Sequence, residues 1–207
     1  MSNGGSIFSG IYQTNAWGDR QSASGPGSNL RQTELVSREL PRLLTALGVR
    51  RFLDGACGDM NWMRRLDYEF THFHGIDVVP ELVAKLRAQI WADNYGFTCA
   101  DITKDPLPTA DAILCRDVLV HLPYKMIHDF VANLKRSGIP YLLTTTFPEK
   151  IKKDIFVGQW RALNLEDAPF EWPSPRHIIR EREQNPEDPY NDKSLGVWRV
   201  EDIPQRG

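Results

Sequence analysis

The stretch Arg51–Met63, RFLDGACGDMNWM, constrains this chain more than any other. It reads as a short buried strand, Arg51–Asp54, a tight loop of small residues, Gly55–Asp59, and the start of a helix. A parallel strand that feeds a helix through such a loop turns free backbone N–H groups toward anything lying against it. Three further strand-like runs end on acids: Thr71–Asp77, Phe97–Asp101, and Ala112–Arg116 followed by Asp117. Asp77 follows the loop by roughly the 20 residues that a strand–helix–strand unit needs to bring a carboxylate to a ribose. Ligands of open α/β sheets bind at the carboxyl ends of the strands. Four acids at four strand ends therefore predict a nucleoside-binding crevice.

The remaining pattern agrees with that sheet. The spacing predicts helices over Leu30–Leu47, Asn61–Leu66, Pro80–Ala92 and Tyr124–Lys135, with a further strand at Pro140–Thr146. Pro41 is expected to kink or divide the first of these helices, and Pro80 to open the third. Strands alternating with helices indicate a parallel sheet covered on both faces. Ile7, Phe8, Ile11 and Tyr12 have helical spacing, whereas Ser24–Ser28, SGPGS, can be neither helix nor central strand. Beyond Phe147 proline, charge and tryptophan dominate, with short strand candidates at Arg176–Arg180 and Gly196–Val200.

Several classes of function drop out. The loop lacks the third glycine of the dinucleotide fingerprint, and no phosphate-binding Walker loop occurs anywhere. A net charge of −2 and a pI near 6.2 give no overall attraction to nucleic acid. No apolar run reaches the ~20 residues of a membrane span, and the N-terminus lacks the features of a signal peptide. No metal-binding motif is present. Three cysteines without paired spacing suit a reducing compartment, so a cytoplasmic location is expected. With 207 residues, one domain is expected: 1–48 as an N-terminal lid and helix, 49–147 as a cofactor-binding core, and 148–207 as acceptor-side segments and closing strands.

The loop resembles motif I of the class I S-adenosylmethionine-dependent methyltransferases. Asp54 matches the leading acid and Gly58 the central glycine, while Ala56 and Met60 stand where two other glycines are usual. The likeness extends to Trp17–Ser28, to CRDVLVHL at Cys115–Leu122, to Tyr141–Phe147, to Trp160–Leu165 and to DKSLGVW at Asp192–Trp198. These segments are similar to a branch of that superfamily whose members often accompany glycan-assembly genes. The resemblance implies a doubly wound, seven-stranded, mostly parallel sheet of Rossmann-like type, with an antiparallel C-terminal hairpin and an N-terminal lid. It implies S-adenosyl-L-methionine as cofactor and a sugar, glycan or related small molecule as acceptor, with neither nucleic acid nor membrane as partner. Oligomeric state has no signature.

The resemblance also assigns residues. Asp77 would hold the ribose hydroxyls, or cap the helix at Pro80; Val78 would touch adenine. Asp101, beside Ile102, would accept from the adenine amino group or form a turn. Asp54 would orient the loop or meet the donor's amino group. Gly55, Ala56, Cys57, Gly58 and Cys115 would line the donor site, with Trp17, Ser24 and Gly25 closing over it. Arg116 would contact an anion or pair with Asp117. Methylating a hydroxyl needs a base, and His121 is the first candidate, because imidazole titrates near neutrality. Asp117 is either a second candidate or the group that fixes the tautomer of His121. Trp160, Trp172 and Trp198, with Arg161 and Asn164, are candidates for acceptor contact. N- or carboxyl-methylation, and a non-catalytic binding role, are the alternatives to O-methylation.

Overall fold

The computed structural model describes residues 3–149, 153–182 and 187–205. Seven strands form one sheet in the order β3-β2-β1-β4-β5-β7-β6. They are β1 Arg51–Asp54, β2 His72–Asp77, β3 Tyr95–Cys99, β4 Ala112–Cys115, β5 Tyr141–Thr146, β6 His177–Arg180 and β7 Ser194–Arg199. β1 to β5 run parallel, whereas β7 lies antiparallel to both β5 and β6. Among the described residues the α-helices are α1 Asn3–Thr14, α2 Glu34–Ala46, α3 Pro80–Gln89 and α4 Tyr124–Ser137.

Neighbouring residues along a strand face opposite sides of a sheet, so each central strand feeds two cores. Leu53, Ile113, Cys115 and Leu142 join Ile127, Phe130, Val131 and Leu134 of α4 on one face. Phe52, Ala112, Leu114 and Leu143 join Val36, Leu40, Leu43 and Leu44 of α2 and Val83 and Leu86 of α3 on the other. Burial on both faces explains why β4 reads as an unbroken apolar run. The carboxyl ends of β1, β2 and β4 then meet at one rim, where β1 pairs with both its neighbours.

Several boundaries differ from the sequence-based expectation. α2 starts at Glu34 rather than Leu30, because Asn29 ties the preceding turn: its Oδ1 accepts from Gln32 N, and its carbonyl from Thr33 Oγ1. α2 also runs through Pro41 undivided; buried Leu40, Leu43 and Leu44 around the proline offset its cost of ~3 kcal/mol. No α-helix forms over Asn61–Leu66, only a 3₁₀ turn at Met63–Arg65. α3 stops at Gln89, short of Ala92, where the chain becomes extended at Ile90. β3 occupies Tyr95–Cys99, so Asp101 lies beyond it in a turn rather than at its last position. No described helix is long and apolar enough to cross a membrane.

Candidate active site

The loop after β1 is pinned from three sides. Gly55 N donates to Leu114 O of β4, and Cys57 N to Ile76 O of β2. Gly58 N donates to Asp77 Oδ2, and Asp59 N to Ser24 Oγ. These N–H groups therefore serve the protein, not an anion, and no helix follows to supply more. Gly58 and Met60 both adopt left-handed backbone, φ near +54°. Ala56 does not, which is why alanine is tolerated there. Met60 takes the strained conformation at a cost of roughly 1–2 kcal/mol, while its side chain is buried in the core beside α2.

Above this loop lies a cavity of about 450 Å³, within the range of small-molecule sites. One end, which the sequence reading assigns to the donor, is walled by Gly55, Ala56, Gly58, Asp77, Val78, Val79, Leu82, Asp101, Ile102 and Thr103. The Asp77 carboxylate is buried and accepts from Gly58 N at 3.0 Å and Val79 N at 3.0 Å. Burial pushes its pKa up, against those two hydrogen bonds. Each carboxylate oxygen retains acceptor capacity, about four lone-pair sites in all. Asp101 Oδ1 accepts from the N–H and hydroxyl of Thr103, so the turn that shapes the wall is its own.

Residues of the N-terminal segment cover the loop. Asp59 accepts from Ser22 Oγ, Ala23 N and Ser24 Oγ. The fit is close: a Cβ on Gly58 would sit 2.1 Å from Ser24 Oγ. Asn61 Nδ2 donates to Ser28 O at 2.9 Å. Trp17, Ser24 and Gly25 all line the cavity, and the Trp17 ring lies 5.2 Å from the ring of His121.

The far end of the cavity is built on a buried ionic network. Arg116 donates through Nε and Nη2 to both oxygens of Glu181, at 3.0 and 2.7 Å. Its Nη1 donates to Gly27 O and faces Asp117 Oδ2 at 3.3 Å. Lys193 Nζ reaches Asp117 Oδ2 at 2.6 Å and Glu181 Oε2 at 3.3 Å. Although burial opposes it, Lys193 and Arg116 drive the Asp117 carboxyl far below the carboxylate range. Asp117 is therefore a permanent anion inside the wall, unsuited to taking a proton. Arg116 is equally occupied by protein partners.

His121 follows β4 on the same wall and is held at two points. Its carbonyl accepts from Gly158 N at 3.0 Å, and its Nδ1 lies 3.0 Å from Gln159 O. A carbonyl only accepts, so Nδ1 carries the proton and Nε2 keeps the lone pair. Burial holds the imidazole pKa below its usual value, against the Gln159 bond and Asp117.

Other sequence candidates fall elsewhere. The side chains of Cys57 and Cys115 turn into the sheet, close against Gly75 and Gly55 respectively. Neither lines the cavity. Asp54 also lies behind the loop; burial raises its pKa to about 7, countered in part by the Ala56 N–H. Trp172 and Trp198 pack edge to face, 5.3 Å apart, in the core, and Trp198 Nε1 donates to Pro173 O. Asn164 holds Pro148 O and Glu166 N. Arg161 lies over the Tyr124 ring, away from the cavity wall. Of the three tryptophans, Trp160 alone reaches the cavity, beside Phe147 and Tyr190. Sequence reasoning missed Phe8, Tyr12, Tyr190 and Lys193 as wall residues, although Lys193 sits inside the DKSLGVW segment.

The donor end suits an adenosine-bearing ligand. The buried Asp77 carboxylate lies beside an apolar slot lined by Val78, Val79, Leu82 and Ile102. Residues 52–138 match the family model described as a methyltransferase domain. No curated protein matches the chain. Among solved structures, the chain is similar to the N-methyltransferase NodS from Bradyrhizobium japonicum WM9, at 18% identity, TM-score 0.57, covering 82% of this chain and 93% of that one. It is likewise similar to the methyltransferase domain of bacterial CtHen1, at 15% identity, TM-score 0.59, covering 83% and 100%. A third similar structure is the DhpI–SAH complex, at 18% identity, TM-score 0.54, covering 78% and 83%. Residues 52–138 thus match a methyltransferase-domain model, and the chain has the Rossmann-like fold seen in these methyltransferase structures.

Proposed function

We propose that the protein is an O-methyltransferase that transfers a methyl group from S-adenosylmethionine to a hydroxyl of a small molecule. The observation that carries this reading is the state of His121: Nδ1 bound to a backbone carbonyl, Nε2 left bare, on the wall of the donor cavity. When bound, S-adenosylmethionine supplies an electrophilic methyl group on a sulfonium. Asp77 would hold the ribose, and Val78, Ile102 and Asp101 would flank the adenine. Trp17 and Ser24–Ser28 would exclude water from above. The displacement is in line, so the protein's work is mainly to position the two partners. Nε2 of His121 would take the hydroxyl proton, while Gln159 and Gly158 fix the ring's orientation.

A cavity of about 450 Å³ supports a small acceptor. The sugar or glycan acceptor implied by the family resemblance is one member of that class. Three free thiols, two of them buried, support a reducing, cytoplasmic setting. His121→Gln tests the reading. Turnover should fall by ~10²–10⁴-fold, with affinity for S-adenosylhomocysteine unchanged. In the wild type, turnover should be lost on acidification with an apparent pKa below the ~6.5 of an unperturbed imidazole, because burial holds the His121 pKa down. A fully active His121→Gln protein would remove the base, and with it the argument for a hydroxyl.

A further inference from the structure

We propose that the acceptor is an aryl hydroxyl, such as a phenol or naphthol, rather than an alkyl hydroxyl of a sugar. The proposal rests on His121 as base and narrows that reading to a substrate class. Two independent observations carry it: the poverty of the base's support, and the aromatic character of the wall it faces.

A histidine that deprotonates an unactivated alcohol needs an anion behind it to stabilise the imidazolium that forms. His121 has a neutral carbonyl there instead, that of Gln159. The nearby carboxylate, Asp117, is claimed by Lys193 at 2.6 Å and Arg116 at 3.3 Å, with the Thr145 hydroxyl at 3.4 Å. The other charged groups acting on the imidazole are the cations Lys193 and Arg161, and both oppose its protonation. His121 is therefore a weak base. A phenol ionises near ~10, against ~6.5 for an unperturbed imidazole. The proton then moves uphill by roughly four orders of magnitude, whereas from an alcohol resembling water (~15.7) it moves uphill by roughly nine. General-base catalysis works best where the two partners are closest, and that selects the phenol.

The wall gives the same answer. Phe8, Trp17, Phe147, Trp160 and Tyr190 line this end of the cavity. Trp160 stands nearly perpendicular to Tyr190 at 4.9 Å and to Phe147 at 5.9 Å. Such rings favour a flat partner, stacked or edge-on. Most of the ionic capacity at this end is taken up internally, Arg116 by Glu181, Lys193 by Asp117 and Arg182 Nη1 by Asp188, which leaves Arg182 Nε as a buried donor without a partner. A polyol would need hydrogen-bond partners around its whole rim, whereas a phenol needs one, for its hydroxyl. In the step itself, the phenolic oxygen forms the new O–C bond to the donor's methyl carbon. The C–S bond breaks with its electron pair left on sulfur, and the O–H proton passes to His121 Nε2 and on to water.

The test pairs turnover with binding. The protein is incubated with methyl-labelled S-adenosylmethionine and either 1-naphthol or catechol, or methyl glucoside or UDP-glucose. The aryl hydroxyls should show kcat/KM at least about a hundredfold above the sugars. Calorimetry in the presence of S-adenosylhomocysteine should detect 1-naphthol and not methyl glucoside. Trp160→Ala should weaken naphthol binding about tenfold without changing S-adenosylhomocysteine affinity. Preferential sugar methylation that His121→Gln abolishes would overturn the aryl assignment while leaving O-methylation standing. Label arriving on nitrogen or a carboxylate would overturn O-methylation itself. Aryl hydroxyls that neither bind nor react, in a protein that binds S-adenosylhomocysteine, would overturn the aryl assignment.

Discussion

Asp54 should make the free protein lose stability as pH rises, and Asp54→Asn should abolish that loss. Its carboxyl lies 5% exposed behind the donor loop. Desolvation raises its pKa from 3.8 to about 7, the Ala56 N–H opposes the rise, and Asp77 adds to it. Because the folded state holds this proton more tightly than the unfolded chain, the stabilisation is complete below pH 3.8 and is lost as pH climbs through about 7. At ~1.4 kcal/mol per unit, the cost to the free protein above that pH is about 4 kcal/mol. Asparagine keeps the shape and carries no charge, but weakens the bond from Ala56 N by about 1 kcal/mol. Urea unfolding at pH 8 should therefore find the variant more stable by about 3 kcal/mol, and by pH 4 the order should reverse, with the wild type ahead by under about 1 kcal/mol. A gap that is constant across this range would show that Asp54 titrates as an ordinary surface acid, and the reasoning would fail.

Three other outcomes are expected. Asp77→Ala should weaken S-adenosylhomocysteine binding by roughly 1.5–3 kcal/mol, and unchanged affinity by calorimetry would take the ribose from Asp77. Asp59→Ala removes the acceptor for Ser22, Ala23 and Ser24, so hydrogen exchange and proteolysis should speed up across 17–28 and not in α4. Glu181→Gln strips the buried Arg116 of its bidentate partner and should cost about 3–5 kcal/mol in urea unfolding; a loss under about 1 kcal/mol would place that pair in effectively aqueous surroundings.

Much of the donor half was legible because it is local. Apolar runs ending in acids mark β1, β2 and β4, and their parallel order places Asp77 beside the loop at Gly58. The start of β3 was missed because Asp93–Gly96, DNYG, reads as a turn, although Tyr95 and Gly96 pair with Phe73 and His74. The loop's N–H groups read as free because their acceptors, Ser24 and Asp77, lie 35 and 19 residues away. The same distance hides the acceptor half. Arg116 and Glu181 are 65 residues apart, and Lys193 and Asp117 76. CRDVLVHL offers the Arg116–Asp117 pair, but nothing local in it shows that Lys193 also holds Asp117 or that His121 leans on a backbone carbonyl. Trp160, Trp172 and Trp198 are indistinguishable as letters; only packing separates the cavity wall from the core.

The position of β7 has a consequence for how this site comes into being. β6 precedes β7 in the chain, yet β7 is its only partner in the sheet. Until Ser194–Arg199 is present, β6 has α2 to pack against, through Ile179, but no strand beside it among the described residues. Glu181 follows β6 directly and Lys193 precedes β7 directly, and Glu181 N donates to Lys193 O. The two groups that balance Arg116 and Asp117 are thus brought together by the pairing of β6 with β7. The strands of the donor half are β1 to β5, whereas Arg116 and Asp117, paired with each other at 3.3 Å, gain their further partners only where β6 and β7 meet.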